Sequence, residues 1–151
     1  MTKLVKFGEE ARNELKKGVA FLNKATGSTL GASGRSAIID SVDGFPFITA
    51  DGITIAQNID LEEPVAQIGL ALARNASLTA NQKAGDGSTT TICLINSMLT
   101  KDNLIKGLTP SLVKSGMEKA IQDVYNHLDE HKHEVNGKED LHNLATISSR
   151  G

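Results

Sequence analysis

Ala84-Gly85-Asp86-Gly87-Ser88-Thr89-Thr90-Thr91 is the stretch on which the fold turns. Two glycines bracket an acid, and four hydroxyl residues follow. Upstream, Val65, Ile68, Leu72 and Ala76 recur at spacings of three and four. They predict a helix that opens at Pro64, with Glu62 and Glu63 at its positive end, and closes near Gly85. Downstream, Ile92, Cys93, Leu94, Ile95, Met98 and Leu99 cover most of the circumference of a helix running from Gly87 to about Lys101. That pattern predicts a central core helix. The quoted stretch is therefore a break between two helices, and the second helix begins on hydroxyls. A helix start offers unpaired N–H groups and a partial positive charge, so it binds anions, phosphate above all. Ser and Thr hydroxyls add donors. Asp86 suits a phosphate site if a divalent cation lies between them, and Mg²⁺ is commonly held by one or two carboxylates plus phosphates. The stretch lacks the Gly-Lys-Ser/Thr of a P-loop. Taken by itself, it is equally a turn in which Asp86 or Ser88 caps a helix and the threonines face solvent.

Working outward, Phe7, Ala11, Leu15, Gly18, Val19 and Leu22 give a first helix over 7–25 with one buried stripe. Thr26-Gly27-Ser28-Thr29-Leu30-Gly31-Ala32-Ser33-Gly34 then has three glycines in nine residues and reads as a tight loop. Short strands are predicted at 37–39 and 45–49, joined by a turn at Val42-Asp43-Gly44, with Pro46 at an edge or strand end. Asp51-Gly52 reads as a further turn, and Ile53-Thr54-Ile55 as a third strand. Thr109-Pro110 opens a helix whose stripe includes Val113, Met117, Ile121, Val124 and Leu128. The polar segment 132–137 is the hinge candidate. Asn136 and Glu139 have capping-box spacing before a short helix over 138–145. The loops at 29–34 and 49–54 are each unremarkable connections taken singly. Together with 84–91 they make three glycine loops, two with an acid beside glycine, and a second carboxylate could order an attacking water.

Aromatic residues are only 3% of the chain, with no Trp, so Leu, Ile, Val and Ala must fill the core, which favours helices over a β-sandwich. The net charge of −2 comes without a basic stripe, so no nucleic-acid partner is expected. Cys93 is the single cysteine, which rules out an internal disulfide or a zinc site of several thiolates; it reads as a buried, inert thiol. No apolar run reaches the roughly 18 residues of a membrane span, and the first residues lack a signal-peptide core. A cytoplasmic setting and no membrane partner are expected. His127 and His131 share a helix face and could grip a metal. Spacing shows no third ligand, and a solvated polar face is the plainer reading.

The order Val5-Lys6-Phe7-Gly8, Ala11-Arg12, Thr29-Leu30-Gly31, Gly34-Arg35, Thr49-x-Asp51-Gly52, Ala84-Gly85-Asp86-Gly87-Ser88-Thr89-Thr90 and Ala145-Thr146-Ile147-Ser148 resembles the start of group I chaperonins, the GroEL family. The resemblance is near-collinear over nearly the whole chain, with a slight shortening around 101–107. It implies a mainly α, equatorial-like helical domain with a small β-hairpin. Residues 1–131 would be the first half of an equatorial ATP-binding domain, and 132–151 the hinge and start of an intermediate domain. It implies ATP and Mg²⁺ as cofactors. Thr29, Leu30, Gly31 and Ala32 would line the nucleotide. Asp86 would bind the metal, while Gly87, Ser88, Thr89 and Thr90 would hold phosphates. Asp51 would be the catalytic acid near the γ-phosphate and its attacking water.

Three positions depart from the family. Ala32 stands where Pro is usual, Ala50 where a Lys usually precedes the Asp-Gly turn, and Ser88 where Thr is usual. The loss of the lysine removes favourable electrostatics at the phosphates. In the family, the rest of the pocket and a hydrolytic carboxylate come from residues downstream of this stretch. Hydrolysis by this chain alone is therefore expected to be negligible. Unfolded clients and a co-chaperonin are expected partners only of a full-length subunit, and a homo- or hetero-oligomer with chaperonin subunits is expected. Two other readings remain. One is a non-enzymatic module that docks on a chaperonin ring through the hairpin at 37–49, an unpaired strand edge. The other is a helical scaffold that has lost its ligands.

Overall fold

Helix α1 (Gly8–Gly27) buries Gly18, Val19 and Leu22 of the predicted stripe and adds Thr26, whereas Phe7 stands at the N-cap and is exposed. The Thr26 hydroxyl donates back to the Leu22 carbonyl at 2.9 Å, so this buried polar group is satisfied within its own helix. The computed structural model describes residues 4–40, 44–101 and 107–149. The described elements continue with β1 (Ala37–Ile39), β2 (Phe47–Thr49), α2 (Gly52–Asn58), α3 (Pro64–Ala84), α4 (Ser88–Thr100), α5 (Pro110–His131) and α6 (Gly137–Ser149). Contacts divide the chain into two compact units, 1–104 and 105–151.

In the first unit, α1, α2, α3 and α4 pack around one core of Val19, Leu22, Ala56, Leu70, Ala73 and Ile92. Full burial of Leu22 and Leu70 contributes about 1.5–3 kcal/mol each. Helix α3 buries Val65, Ala66, Gly69, Leu70, Ala73 and Ser77. The stripe expected from its large residues is thus corrected: Ile68 and Leu72 are 53% and 61% exposed. Small residues won because they let two backbones approach. A Cβ at Gly18 would overlap the Ala66 carbonyl, and one at Gly69 would overlap that of Leu15.

Helix α4 is also corrected. Ser88 and Ile92 are its buried residues, and Leu94 is 58% exposed, so the helix is covered on one side. Cys93 is free and only half-buried. Strands β1 and β2 pair antiparallel with Ala37 opposite Thr49, Ile38 opposite Ile48 and Ile39 opposite Phe47. Pro46 immediately precedes β2, where its missing N–H costs no ladder bond. Of the predicted turn, Val42 and Asp43 lie outside the described residues, and Gly44 is left-handed with φ 80°.

The third strand is replaced by helix α2. The Asp51 carboxylate accepts from the Thr54 amide at 2.9 Å and from the Thr54 hydroxyl at 2.6 Å. That N-cap starts a helix through Ile53-Thr54-Ile55, overriding their β propensity, and buries Ile55 and Ala56. In the second unit, Thr109 caps α5 and Pro110 opens it, as the sequence predicts. Helix α6 runs four residues beyond the predicted end, to Ser149. Its reciprocal capping acid is Asp140, which accepts from the Asn136 amide at 2.8 Å, in place of Glu139. Among the described residues, no helix is long and apolar enough to cross a membrane.

Candidate functional site

Between α3 and α4 the chain turns on two left-handed glycines. Gly85 (φ 77°) closes α3, its amide donating to the Asn81 carbonyl at 2.7 Å. Gly87 (φ 85°) stands at the N-cap of α4. No side chain caps that helix, whereas α2, α3 and α5 are capped by Asp51, Glu63 and Thr109. The Gly87 carbonyl accepts from the Thr91 amide at 2.9 Å, so the amides of Ser88, Thr89 and Thr90 precede the first intrahelical bond. Asp86 is exposed between the glycines, and its Oδ1 accepts from the Gly87 amide at 2.6 Å. Open space faces the Cα of both glycines, so a ligand has access to the backbone.

The start of α4 is fixed from two sides. The Ser77 hydroxyl on α3 donates to the Ser88 carbonyl at 3.1 Å, in a buried bond. Gly52, the first residue of α2, lies flat against Thr89: a Cβ there would overlap the Thr89 hydroxyl oxygen and stand 3.3 Å from its Cβ. Asp51 and Thr89 are thereby held on adjoining turns. The Asp51 carboxylate serves Thr54, a partner that sequence reasoning missed although Asp-x-x-Thr is a readable capping pattern. Ser77 left no such signal, because only tertiary packing brings it to Ser88.

The third loop follows α1. Thr29 and Leu30 donate their amides to the Thr26 and Gly27 carbonyls at 3.0 and 3.2 Å. The Thr29 hydroxyl donates to the Thr26 carbonyl at 2.7 Å. Gly31 is left-handed with φ 80°, and the loop closes where the Arg35 amide donates to the Ser28 carbonyl at 2.8 Å. Leu30, Gly31 and Ala32 are exposed. Just before this loop, Gly27 at the end of α1 faces α4, its Cβ position 3.6 Å from the Cys93 sulfur. Cys93 is about 7.5 Å along the axis from Ser88, at 1.5 Å per residue. The loops at 51–52 and 85–90 are thus in direct contact, and the end of α1, from which the loop at 28–35 departs, meets α4 about one and a half turns further on.

The described elements, mainly helices with one two-stranded antiparallel hairpin, have the fold of a chaperonin equatorial-like helical domain. The family comparison agrees: a model of the TCP-1/cpn60 chaperonin family matches residues 22–151, and the chain belongs to that family. Among solved structures, it is similar to the chaperonin gp146 from the bacteriophage EL 2 (Pseudomonas aeruginosa), crystallised in presence of ATP-BeFx. The two are 23% identical with a TM-score of 0.71, and the match covers 85% of this chain and 23% of that chain. That likeness concerns the fold.

Proposed function

We propose that this chain supplies the phosphate-binding wall of a Mg·ATP site and contributes through it to ATP-dependent protein folding in a chaperonin assembly. The observation that carries the reading is the start of α4: uncapped, opened by left-handed Gly87, flanked by Asp86, and packed on the Asp51-Gly52 turn. Donors directed at an anion, open backbone and an adjoining carboxylate fit a metal-bound phosphate chain. Ser88, Thr89 and Thr90 would donate to phosphate oxygens, Asp86 would hold Mg²⁺, and Thr29, Leu30, Gly31 and Ala32 would border the nucleotide. When bound, Mg²⁺ neutralises phosphate charge. Asp51 would position water with whatever acceptor capacity remains beyond Thr54.

The presence of ATP-BeFx with the phage chaperonin supports nucleotide as the ligand class. Residues 1–131 would belong to the equatorial-type domain and 132–151 to a hinge and the next domain, with the non-helical residues 132–136 between α5 and α6 as the hinge. Oligomeric assembly with chaperonin subunits follows from the family, and exposed Ile38 and Ile48 offer the hairpin as one contact.

The test is a titration of the isotopically labelled chain with Mg·ATP, followed by amide NMR. The proposal expects saturable shifts at Ser88, Thr89, Thr90 and Gly31. Shifts confined to other residues, or none, would reject it.

A further inference from the structure

The last turn of α5 carries a cluster that the phosphate site does not use. One ligand atom each of His127, Glu130 and His131 lies within 4.8 Å of the others, and all three side chains are exposed. The imidazoles lie face to tilted face, with ring centroids 4.1 Å apart. His131 Nδ1 is 2.8 Å from the His127 carbonyl oxygen. A carbonyl can only accept, so Nδ1 is the donor in this bond and Nε2 is the ring nitrogen left to face a metal. That is the arrangement found around metal-bound histidines, where the second ring nitrogen donates to a carbonyl and fixes the tautomer. Neighbouring Asp129 is paired with Lys132 at 3.0 Å, whereas Glu130 forms no ion pair among the described residues.

We infer that His127, Glu130 and His131 form a binding site for a divalent transition cation, Zn²⁺ in the first instance, at the C-terminal end of α5. Imidazole ligands select Zn²⁺ and its neighbours over Mg²⁺, so this site is chemically separate from any metal at Asp86. Tetrahedral Zn²⁺ with bonds of about 2.0–2.1 Å sets its ligands about 3.4 Å apart. Closing the cluster therefore takes side-chain shifts on the order of 1 Å, which exposed rotamers permit. The negative end of the helix favours a cation there. Three protein ligands leave a fourth position for water. Spacing alone gave the two histidines but not the acid. Glu130 joins them because residues three and four apart share a helix face.

The test is calorimetric titration of ZnCl₂ into the whole chain with excess Mg²⁺ present, so that carboxylate-only sites are already filled. One equivalent should bind saturably. Loss of a supporting group around a metal-bound histidine costs roughly 10–100-fold, so His127→Ala or His131→Ala should cost at least about tenfold. Glu130→Gln should weaken binding, and His142→Ala should leave it unchanged. Ring proton shifts of His127 and His131 on adding Zn²⁺ give a readout independent of the variants. Absence of saturable binding would overturn the site, as would an equal loss in His142→Ala or an unchanged affinity in Glu130→Gln.

Discussion

At Asp51 a single carboxylate oxygen accepts from both the amide and the hydroxyl of Thr54. Its capping role and its proposed role toward the ligand separate by substitution. Asp51→Ala removes the cap of α2 and should cost about 0.5–2 kcal/mol in chemical denaturation, whereas Asp51→Asn should keep most of the stability while removing the charge. If the two variants unfold at the same denaturant concentration, the cap is not what the carboxylate contributes. The neighbouring contact makes a sharper prediction. Gly52→Ala drives a methyl into the Thr89 hydroxyl and should destabilise by about 1–3 kcal/mol. Adding Thr89→Ala removes the obstructing oxygen and should restore most of that loss; additive losses would contradict the contact. Asp86, Gly87 and Thr90 stood out in the sequence as a candidate site because glycine, acid and hydroxyl types adjoin there and each has a chemical use. Gly52 was legible only as a turn. Its flat approach to Thr89 depends on packing between segments nearly forty residues apart, which local pattern does not encode.

Elements were legible where a cap and a period agreed. Thr109-Pro110 and the run behind it gave α5 directly. Ile53-Thr54-Ile55 misled because β propensity reports a half-buried pleated surface, and a cap at Asp51 outweighs it. The buried face of α3 was misjudged because the largest side chains were assumed to point inward, whereas Gly69 and Ala73 seat it against α1. A network of side chains holds the joint between α2 and α3. Gln67 accepts from the Leu61 amide at 2.7 Å and donates to Asp60 at 2.6 Å. Arg74 donates to Asp60 at 3.1 Å and also to the Ile59 carbonyl. The Gln67 bond, then the Arg74 bond and charge, hold the Asp60 carboxyl below its ordinary value against the opposing effect of desolvation. A carboxylate with a depressed folded pKa stabilises above its unfolded value, about 3.9, and that contribution fades as pH falls through the lower folded pKa. Asp60 is largely exposed, so the effect is local. Protection of the Leu61 amide against hydrogen exchange should hold above pH about 4 and fall below it. In Asp60→Asn that step should vanish; a step of equal size in the variant would assign it to another group.

For the whole molecule, the first unit leaves Ile68, Leu72 and Leu94 more than half exposed, each a candidate for burial on association. Leu94→Glu should leave stability within about 0.5 kcal/mol, since the side chain is already mostly in water. It should weaken association with chaperonin subunits in sedimentation velocity. Unchanged association would remove Leu94 from the assembly contact. Family membership was legible because several motifs occur in one order, a signal that no single loop carries. The strength of the proposed phosphate site was not, since Ala32 and Ala50 stand where the resemblance implies Pro and Lys, a difference that only binding can weigh. Isothermal titration of ATP, with and without Mg²⁺, into the chain and into Asp86→Ala therefore tests the central claim most directly. A dissociation constant of about 0.1–1 mM, equivalent to roughly −5.5 to −4 kcal/mol, is predicted for Mg·ATP, weakening at least about tenfold in Asp86→Ala. No measurable heat with Mg·ATP, or equal binding by the variant, would contradict it.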